Sequence, residues 1–299
     1  MLSYHKIYEQ LCENPLASHY HLAKEAHLSR NTFSKYLHEL YDAHMLKGPY
    51  LMVKPCRDHP YYLYLMNFSD PVKVFEGLKG FPHVIDHAVT FGEWDIQVVT
   101  DRRLDFSQLK GHENQVFEEK KGHTYVSHVG LLDWEEAFQI IDEKIASFSP
   151  YIEKSHEELI DLNWSPDEWK LFWAFQENIR GKKGRVLKEI EVRHEVFSRW
   201  RKSLERTCVI YTGFYPEGKQ NYMRHCFLVR SAYGKTLQNI LDLMPVTCFL
   251  EEVGEYFMMS IYSISPQTSL KLFSLIYEIK VKKLIKEFKY FNIVFFYHL

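Results

Sequence analysis

The chain has 299 residues, 46% of them hydrophobic, which is enough to bury the cores of two or more domains. Its formal net charge of −2 excludes a uniformly basic nucleic-acid-binding protein, so a function of that kind would need a local basic cluster. Five scattered cysteines without a Cys-x-x-Cys pair exclude a disulfide framework and a zinc ribbon, and a soluble, cytoplasmic protein is expected.

The first predicted elements are helical. The segment LAKEAHLSRNTFSKYLHEL, residues 22–40, predicts two helices separated by a tight turn, as in a helix-turn-helix that enters a DNA groove. On the second helix, predicted over about 29–43, Phe33, Leu37 and Leu40 form the buried stripe. Its other face is predicted to contact double-stranded DNA through Ser29, Arg30, Asn31, Ser34, Lys35 and His38. A polar solvent-facing surface is the plain alternative.

The next elements have the period of strands. The run MLKGPYLMV (45–53) predicts a β-wing, in which Gly48-Pro49 separates two short strands. Strands are then predicted at 61–68, 83–91, 94–100 and 124–132, with a helix from Asp70-Pro71 and a weak helix after residue 100. This βαββαβ order predicts a ferredoxin-like domain.

One turn between these strands is a candidate effector site. In TFGEWD (90–95), Glu93 and Asp95 are predicted to receive the amino group of an amino-acid-like effector, with Trp94 packing on its apolar part. A plain hairpin explains the same residues equally well. The corresponding turn later in the chain, GEYF (254–257), has Phe257 in place of the second acid, so at most one such site per chain is expected.

The chain contains an internal repeat. Residues 24–40 align with 188–204 at an offset of 164, and 77–99 align with 239–261 with small insertions. The repeat indicates a tandem duplication of one two-part unit. The second unit is predicted to contain a helix from Pro266 to about Phe288 and a last strand at 291–299. We expect the two sheet domains to form a pseudo-dimer within one chain, and higher association of chains is left open.

Charge is distributed unevenly along the chain. Residues 180–206 contain ten Lys or Arg against four Glu, which predicts phosphate contacts, whereas 133–164 contain nine acids against two lysines and predict an acidic helical linker. The predicted DNA contacts of the second unit are Lys182, Lys183, Arg185, His194, Ser198, Arg199 and Lys202. A solvated loop at 180–185 is the alternative.

The helix-turn-helix, wing and FPHV…TFGEWD segments together resemble the Lrp/AsnC (feast/famine) family of transcription regulators, duplicated on one chain. The resemblance implies an α+β fold of two winged helix-turn-helix domains alternating with two ferredoxin-like domains, DNA binding, and in many members a small effector. The predicted boundaries are 1–56 for the first winged helix, 57–132 for the first ferredoxin-like domain, 133–164 for the linker, 165–220 for the second winged helix and 221–299 for the second ferredoxin-like domain.

These observations predict a sequence-specific transcription regulator that is not an enzyme and holds no cofactor or metal. Two alternatives are left open. The first is a tetrapyrrole (siroheme) decarboxylase-like enzyme of the same two-domain plan, in which His and Arg of the sheet domain act on the substrate. The run LKGPYLMVKP lacks a basic cluster and disfavours this enzyme, while VTDRR (99–103) weakly supports it. The second is an effector-binding adaptor that no longer binds DNA.

Overall fold

The structure is a computed structural model that describes residues 2–148 and 159–298. Part of the predicted acidic linker, residues 149–158, lies outside these ranges. In the first half, the elements are α1 Leu2–Glu13, α2 His19–Glu25, α3 Arg30–Asp42, β1 Leu46–Val53, β2 Tyr62–Phe68, α4 Pro71–Leu78, β3 Val84–Gly92, β4 Ile96–Thr100, β5 His112–Val126 and α5 Trp134–Ala146.

The second half repeats this order with small changes. Its elements are α6 Pro166–Phe175, α7 Lys183–Glu189, α8 His194–Thr207, β6 Cys208–Phe214, a short 3-10 turn Lys219–Asn221, β7 Met223–Arg230, α9 Gly234–Leu241, β8 Phe249–Val253, β9 Tyr256–Ser263, α10 Pro266–Val281 and β10 Glu287–His298. The chain is therefore a mixed α and β protein. Within the described ranges, no helix is long and apolar enough to cross a membrane.

Local sequence explains how the helices begin and turn. The Ser29 side chain accepts a hydrogen bond from the Thr32 N–H and caps α3, whose Phe33, Leu37 and Leu40 are buried as predicted. His27, in the turn before α3, has a φ of 56°, in the left-handed region. Glu191, at the matching turn before α8, has the same φ. We call α1 to α3 the first helical unit and α6 to α8 the second helical unit. The two units share their turn geometry although the residues in the turns differ.

Eight strands form a closed barrel in the order β10-β3-β4-β2-β5-β8-β9-β7. Strands β2 to β5 supply one half and β7 to β10 the other, and the halves join where β5 pairs with β8 and β10 pairs with β3. Both junctions are antiparallel, so backbone hydrogen bonds connect the two halves at each edge. Inside the barrel, Trp94 packs against Phe291 at a ring-centroid distance of 4.6 Å.

The predicted β-wing is a different element in the structure. Residues 46–53 form the single strand β1, with a cis peptide at Gly48-Pro49, instead of two strands separated by these residues. β1 pairs antiparallel with β6, with Tyr50 opposite Tyr211 and Val53 opposite Cys208. We call this two-stranded sheet the bridging sheet. Because each strand has its partner in the other half, the bridging sheet connects the two helical units.

The end of the first half also differs from the prediction. The strand predicted at 124–132 is β5, which begins twelve residues earlier at His112 and ends at Val126. The first part of β5 is rich in charged residues and lacks the apolar alternation by which strands are predicted. Its backbone nevertheless pairs with β2 and then with β8. Residues 101–111, all described, form turns in place of the weak helix, because Phe106 anchors the segment in the core against Tyr64.

Two further elements depart from the sequence reading. α10 ends at Val281, several residues before the predicted end at Phe288, and β10 begins at Glu287. Within the predicted acidic linker, α5 begins at a capping box between Asp133 and Glu136 and buries its apolar face in the core of the second half. This part of the predicted linker is therefore packed helix, and its acidic residues lie on the outer side.

Candidate functional site

A cavity of about 440 Å³ lies at one end of the barrel, beneath the bridging sheet. We call it the mouth cavity. Residues from both halves line it: Tyr50 and Tyr211 come from the bridging sheet, Lys121 from β5, and Arg224 from the start of β7. The volume lies within the range of about 300–1,000 Å³ that is usual for small-molecule sites. The mouth cavity is therefore a candidate small-molecule site.

The bridging sheet forms the roof of the mouth cavity. The rings of Tyr50 and Tyr211 are stacked at 5.1 Å, and the ring of Phe249 on β8 meets Tyr211 edge-on at 5.5 Å. Burial raises the pKa of Tyr50 to about 12, and burial likewise raises the pKa of Tyr211. Both phenols are therefore protonated at neutral pH and can donate hydrogen bonds to a ligand.

One wall of the mouth cavity contains an ion pair. Lys121 Nζ lies 2.8 Å from Glu251 Oε1, and Thr124 Oγ1 donates a hydrogen bond to the same carboxylate oxygen at 3.2 Å. Burial lowers the pKa of Lys121, but the carboxylates of Glu251 and Asp86 more than offset it and leave the pKa raised. Lys121 is thus held as a cation at the junction of β5 and β8.

Asp86 is a second acid in the cavity. It lies on β3 opposite His298 of β10, the other junction of the barrel. Burial raises the pKa of Asp86; Lys121 and His298 oppose this shift, and Glu251 adds to it. The net shift is upward, so this carboxyl holds its proton more strongly than an aspartic acid in water.

Two further cations, Lys219 and Arg224, line the mouth cavity close to each other. Arg224 donates a hydrogen bond to Ser260 Oγ at 2.8 Å, and the ammonium of Lys219 lies over the Tyr215 ring at 5.5 Å. Burial lowers the pKa of Lys219, and the nearby charge of Arg224 lowers it further. Arg224 keeps accessible surface, and neither cation has a carboxylate within 4 Å among the described residues, although Glu177 and Glu251 also line the cavity. Lys219 and Arg224 can therefore both donate charge-assisted hydrogen bonds to an anion.

The predicted effector turn lies at the other end of the barrel. Trp94 is fully buried among the barrel side chains, and Glu93 is exposed at the turn. Asp95 closes the hairpin, because its Oδ2 accepts from the Phe68 N–H at 3.2 Å and its own N–H is bonded to the Asn67 side chain. The structure does not bring Glu93, Trp94 and Asp95 together around one ligand-sized space, and Trp94 is not available to pack on an effector.

The predicted DNA contacts lie on the helical units. In the first unit, Ser29, Arg30, Asn31, Ser34, Lys35 and His38 are all exposed, as the face opposite the buried stripe. In the second unit, Lys182, Lys183, Arg185, His194, Arg199 and Lys202 are exposed and Ser198 is half-buried. Trp200 turns inward and is buried, while Arg201 donates a hydrogen bond to the carbonyl of Leu16. The basic residues of α8 therefore flank a packed stripe completed by Trp200.

Sequence reasoning missed the residues of the mouth cavity. Arg102 and Arg103, which had supported the enzyme alternative, are exposed and pair with Asp101 and Glu118 outside the cavity. The basic groups of the cavity are Lys120, Lys121, Lys219 and Arg224. The sequence did contain one signal for Arg224. Arg224 comes directly before the mostly apolar run HCFLV (225–229), and a charged residue beside such a run indicates the end of a buried strand. Among the described residues, no cluster of His, Cys, Asp or Glu could hold a metal ion.

The sequence matches no protein-family profile and no curated protein. Among solved structures, the siroheme decarboxylase NirDL is similar with a TM-score of 0.47 and 10% identity, covering 97% of this chain and 90% of that chain. NirDL in complex with an iron-uroporphyrin III analogue gives a TM-score of 0.46 over the same shares. E. coli AsnC gives 0.33 with 16% identity, covering 40% of this chain and 89% of that chain.

These matches correct one prediction. The chain was expected not to be an enzyme, but the structures that match 97% of it are those of a decarboxylase, so that expectation is wrong. E. coli AsnC, from the family that the sequence was predicted to resemble, is among the similar structures and covers 40% of this chain. At these identities and TM-scores, the comparisons describe a similar arrangement of elements, and any activity has to be argued from the site itself.

Proposed function

We propose that the mouth cavity binds a tetrapyrrole that carries several carboxylates and removes carboxyl groups from it, as a siroheme decarboxylase-like enzyme. The observation that carries the proposal is the meeting of Lys219 and Arg224, which have no ion-pair partner among the described residues, with protonated tyrosines in one cavity. A polycarboxylate needs several cations spaced around it, and charge-assisted hydrogen bonds from them fix its orientation. The alternative reading of the sequence thus becomes the principal one.

The chemistry of the step assigns roles to these side chains. Decarboxylation breaks the bond between the carboxylate and its carbon, releases CO₂, leaves the electron pair on that carbon and requires one proton to replace the lost group. Arg224 and Lys219 would hold carboxylates that do not react, and Asp86, whose carboxyl lines the same cavity, would supply the proton that replaces the lost group. Enclosure beneath Tyr50 and Tyr211 would exclude water from the developing carbanion.

The test is a titration of the protein with iron uroporphyrin, followed by absorbance of the Soret band, and a reaction with siroheme analysed by mass spectrometry. We expect a saturable Soret shift and loss of CO₂ from siroheme. Arg224→Gln should weaken binding about tenfold, the loss of roughly one charged hydrogen bond, about 1.4 kcal/mol. Arg230→Gln is the matched control, because Arg230 lies on the same strand but outside the cavity lining, and its side chain is paired with Glu255.

Three results would contradict the decarboxylase proposal: no Soret shift, a Soret shift without release of CO₂ from siroheme, or equal weakening in both variants. If Arg224→Gln abolishes the Soret shift but the wild-type protein leaves siroheme intact, the protein binds a tetrapyrrole without acting on it. That result would favour the effector-binding adaptor. Folding of each variant is checked by its thermal unfolding, because Arg224 also donates a hydrogen bond to Ser260.

DNA binding is kept as a second candidate because of one observation, the fully exposed polar face of α3. Arg30, Asn31 and Lys35 present a cation, an amide and an ammonium on the side opposite the buried stripe. In this proposal, residues 1–56 and 165–220 are helix-turn-helix domains, 57–132 and 221–299 are ferredoxin-like domains, and the bridging sheet takes the place of two free wings. Lys35 also lies 3.9 Å from Glu39, which partly offsets its charge.

Fluorescence anisotropy with selected genomic fragments and with random duplex tests this candidate. Lys35→Ala should cost about 1–3 kcal/mol on a specific site and much less on random DNA. Lys24→Ala on exposed α2 is the control. Equal losses on specific and random duplex, or equal losses for the two variants, would contradict base reading by α3.

A further inference from the structure

A second concave site lies between the two helical units. It is a groove of about 720 Å³, bounded on one side by the loop at residues 16–18 of the first unit and on the other by residues 179–183 and α8 of the second. We call it the interunit groove. Its lining residues differ entirely from those of the mouth cavity, so it is a separate site.

Two arginines of the second unit hold the loop of the first. Arg180 Nη1 donates hydrogen bonds to the carbonyls of Pro15 at 3.0 Å and Ala17 at 2.7 Å, and Arg201 donates to the carbonyl of Leu16. Carbonyl dipoles satisfy some of the N–H groups but leave both positive charges without a neutralising partner. Burial lowers the pKa of Arg180 and the charge of Arg201 lowers it further, as like charges held close together would.

Three lysines add to this charge. Lys182, Lys183 and Lys202 line the same groove, and all three are exposed. Within the described ranges, no acidic side chain lines the groove and no ion pair neutralises any of its five cations. By contrast, Arg185, a few residues away, is paired with Glu189 at 2.7 Å. The excess charge is therefore concentrated in the concave surface.

We propose that the interunit groove binds a compact organic or inorganic polyphosphate, a ligand that carries several negative charges within a few ångströms. Five cations facing one recess match a phosphate chain, whose oxygens accept from Arg forks and Lys ammonium groups alike. The groove lining also includes the apolar side chains of Leu16 and Ile179, next to which a non-phosphate part, as in a nucleotide, would lie. Since the groove joins both units, a bound polyphosphate would fix their relative position.

This inference changes the role predicted for four residues of the second unit. Lys182, Lys183, Ser198 and Lys202 were assigned to DNA, but they line a recess rather than a convex face. A duplex is a wide rod that presents its phosphates on the outside, and it enters a recess of this size poorly. His194 and Arg199, which lie outside the groove lining, are the residues of α8 that stay available for a duplex.

The experiment is isothermal titration with inorganic triphosphate and with ATP at constant ionic strength, followed by competition with a short random duplex. We expect saturable binding of triphosphate and its displacement by ATP. The double variant Lys182→Gln/Lys183→Gln should weaken triphosphate binding at least about tenfold, because two charged contacts are lost. Lys202→Gln, a single change on α8 in the same wall of the groove, should weaken it by a smaller factor.

The matched control is Lys188→Gln, since Lys188 is an exposed lysine of α7 that does not line the groove. Absence of triphosphate binding, or an equal loss in Lys188→Gln, would overturn the proposal, because the latter would show non-specific attraction. Full displacement of triphosphate by random duplex at equal phosphate concentration would also overturn it in favour of a backbone contact. All four lysines are exposed, so the variants are expected to fold, and their thermal unfolding verifies this.

Discussion

The two ends of the barrel have the same strand framework but different contents. One end contains the turn between β3 and β4, and we call it the hairpin end. There Trp94 has no accessible surface and lies against Phe291, so side chains fill the barrel interior. At the mouth, Lys121, Lys219 and Arg224 keep accessible surface in a cavity beneath the bridging sheet. The comparison teaches that the hairpin end is filled by apolar side chains, whereas the mouth keeps charged groups, among them Lys121, whose cost of burial is offset by its ion pair with Glu251.

The largest expected effect on stability comes from removing the buried Trp94 side chain at the hairpin end. Trp94→Ala should lower the free energy of unfolding by about 3–5 kcal/mol, since it removes the largest side chain of the barrel interior and leaves a cavity. Urea denaturation followed by circular dichroism measures this. Phe91→Ala is the control, because Phe91 is 76% exposed and its loss should change stability by less than about 0.5 kcal/mol. Similar losses in the two variants would show that the hairpin end is not a packed core.

The next effect concerns the ion pair at the mouth. A double-mutant cycle of Lys121→Met and Glu251→Gln should give a coupling energy of about 0.5–3 kcal/mol, because these side chains are only 20% and 16% exposed. The pair Arg185–Glu189 is the comparison, since it is 86% and 56% exposed and should couple by no more than about 0.5 kcal/mol. Equal coupling in the two cycles would mean that water screens the mouth as well as the surface.

A smaller effect on stability is expected from Asp95→Ala, which also tests whether ligands bind at the hairpin end or at the mouth. Asp95→Ala should cost about 0.5–1.5 kcal/mol of stability, through the hydrogen bond that Oδ2 accepts from the Phe68 N–H. It should leave the Soret titration and any binding of amino acids unchanged, because Asp95 lies at the hairpin end. Glu93→Ala, at the exposed neighbour, should change neither property. Calorimetry in which Asp95→Ala abolishes amino-acid binding would restore the effector site predicted from the sequence.

The smallest effect is a pH dependence at the mouth. Burial raises the pKa of Asp86 above its ordinary value of 3.8, so the folded state holds this proton more tightly than the unfolded state. Stability contributed by the protonated form is present at low pH and is lost as the pH rises above 3.8 through the folded pKa. Asp86→Asn should remove this decline, so denaturation curves of the variant and the wild type should diverge with rising pH. Parallel curves would show that Asp86 titrates as it does in water.

Much of the local structure was determined by the sequence itself. Ser29 and Asp70 are N-caps, and the spacing of Phe33, Leu37 and Leu40 fixed which side of α3 is buried. These features depend on residues three or four positions apart, which hydrogen-bond or pack within one element. The strand runs from Tyr62 and Val84 were predicted for the same reason, since alternation of apolar residues is a local signal.

Only the tertiary structure decided what the elements build. The sequence of β1 is typical of a free wing, but its partner, β6, lies more than 150 residues later in the chain. The strand β5 lacks apolar alternation, yet backbone pairing holds it on both sides. The mouth cavity exists because two barrel halves and the bridging sheet bring Lys121 and Arg224, about 100 residues apart, to one space. Long-range pairing of strands leaves no periodic trace in a sequence, since backbone groups make it and every residue carries the same ones.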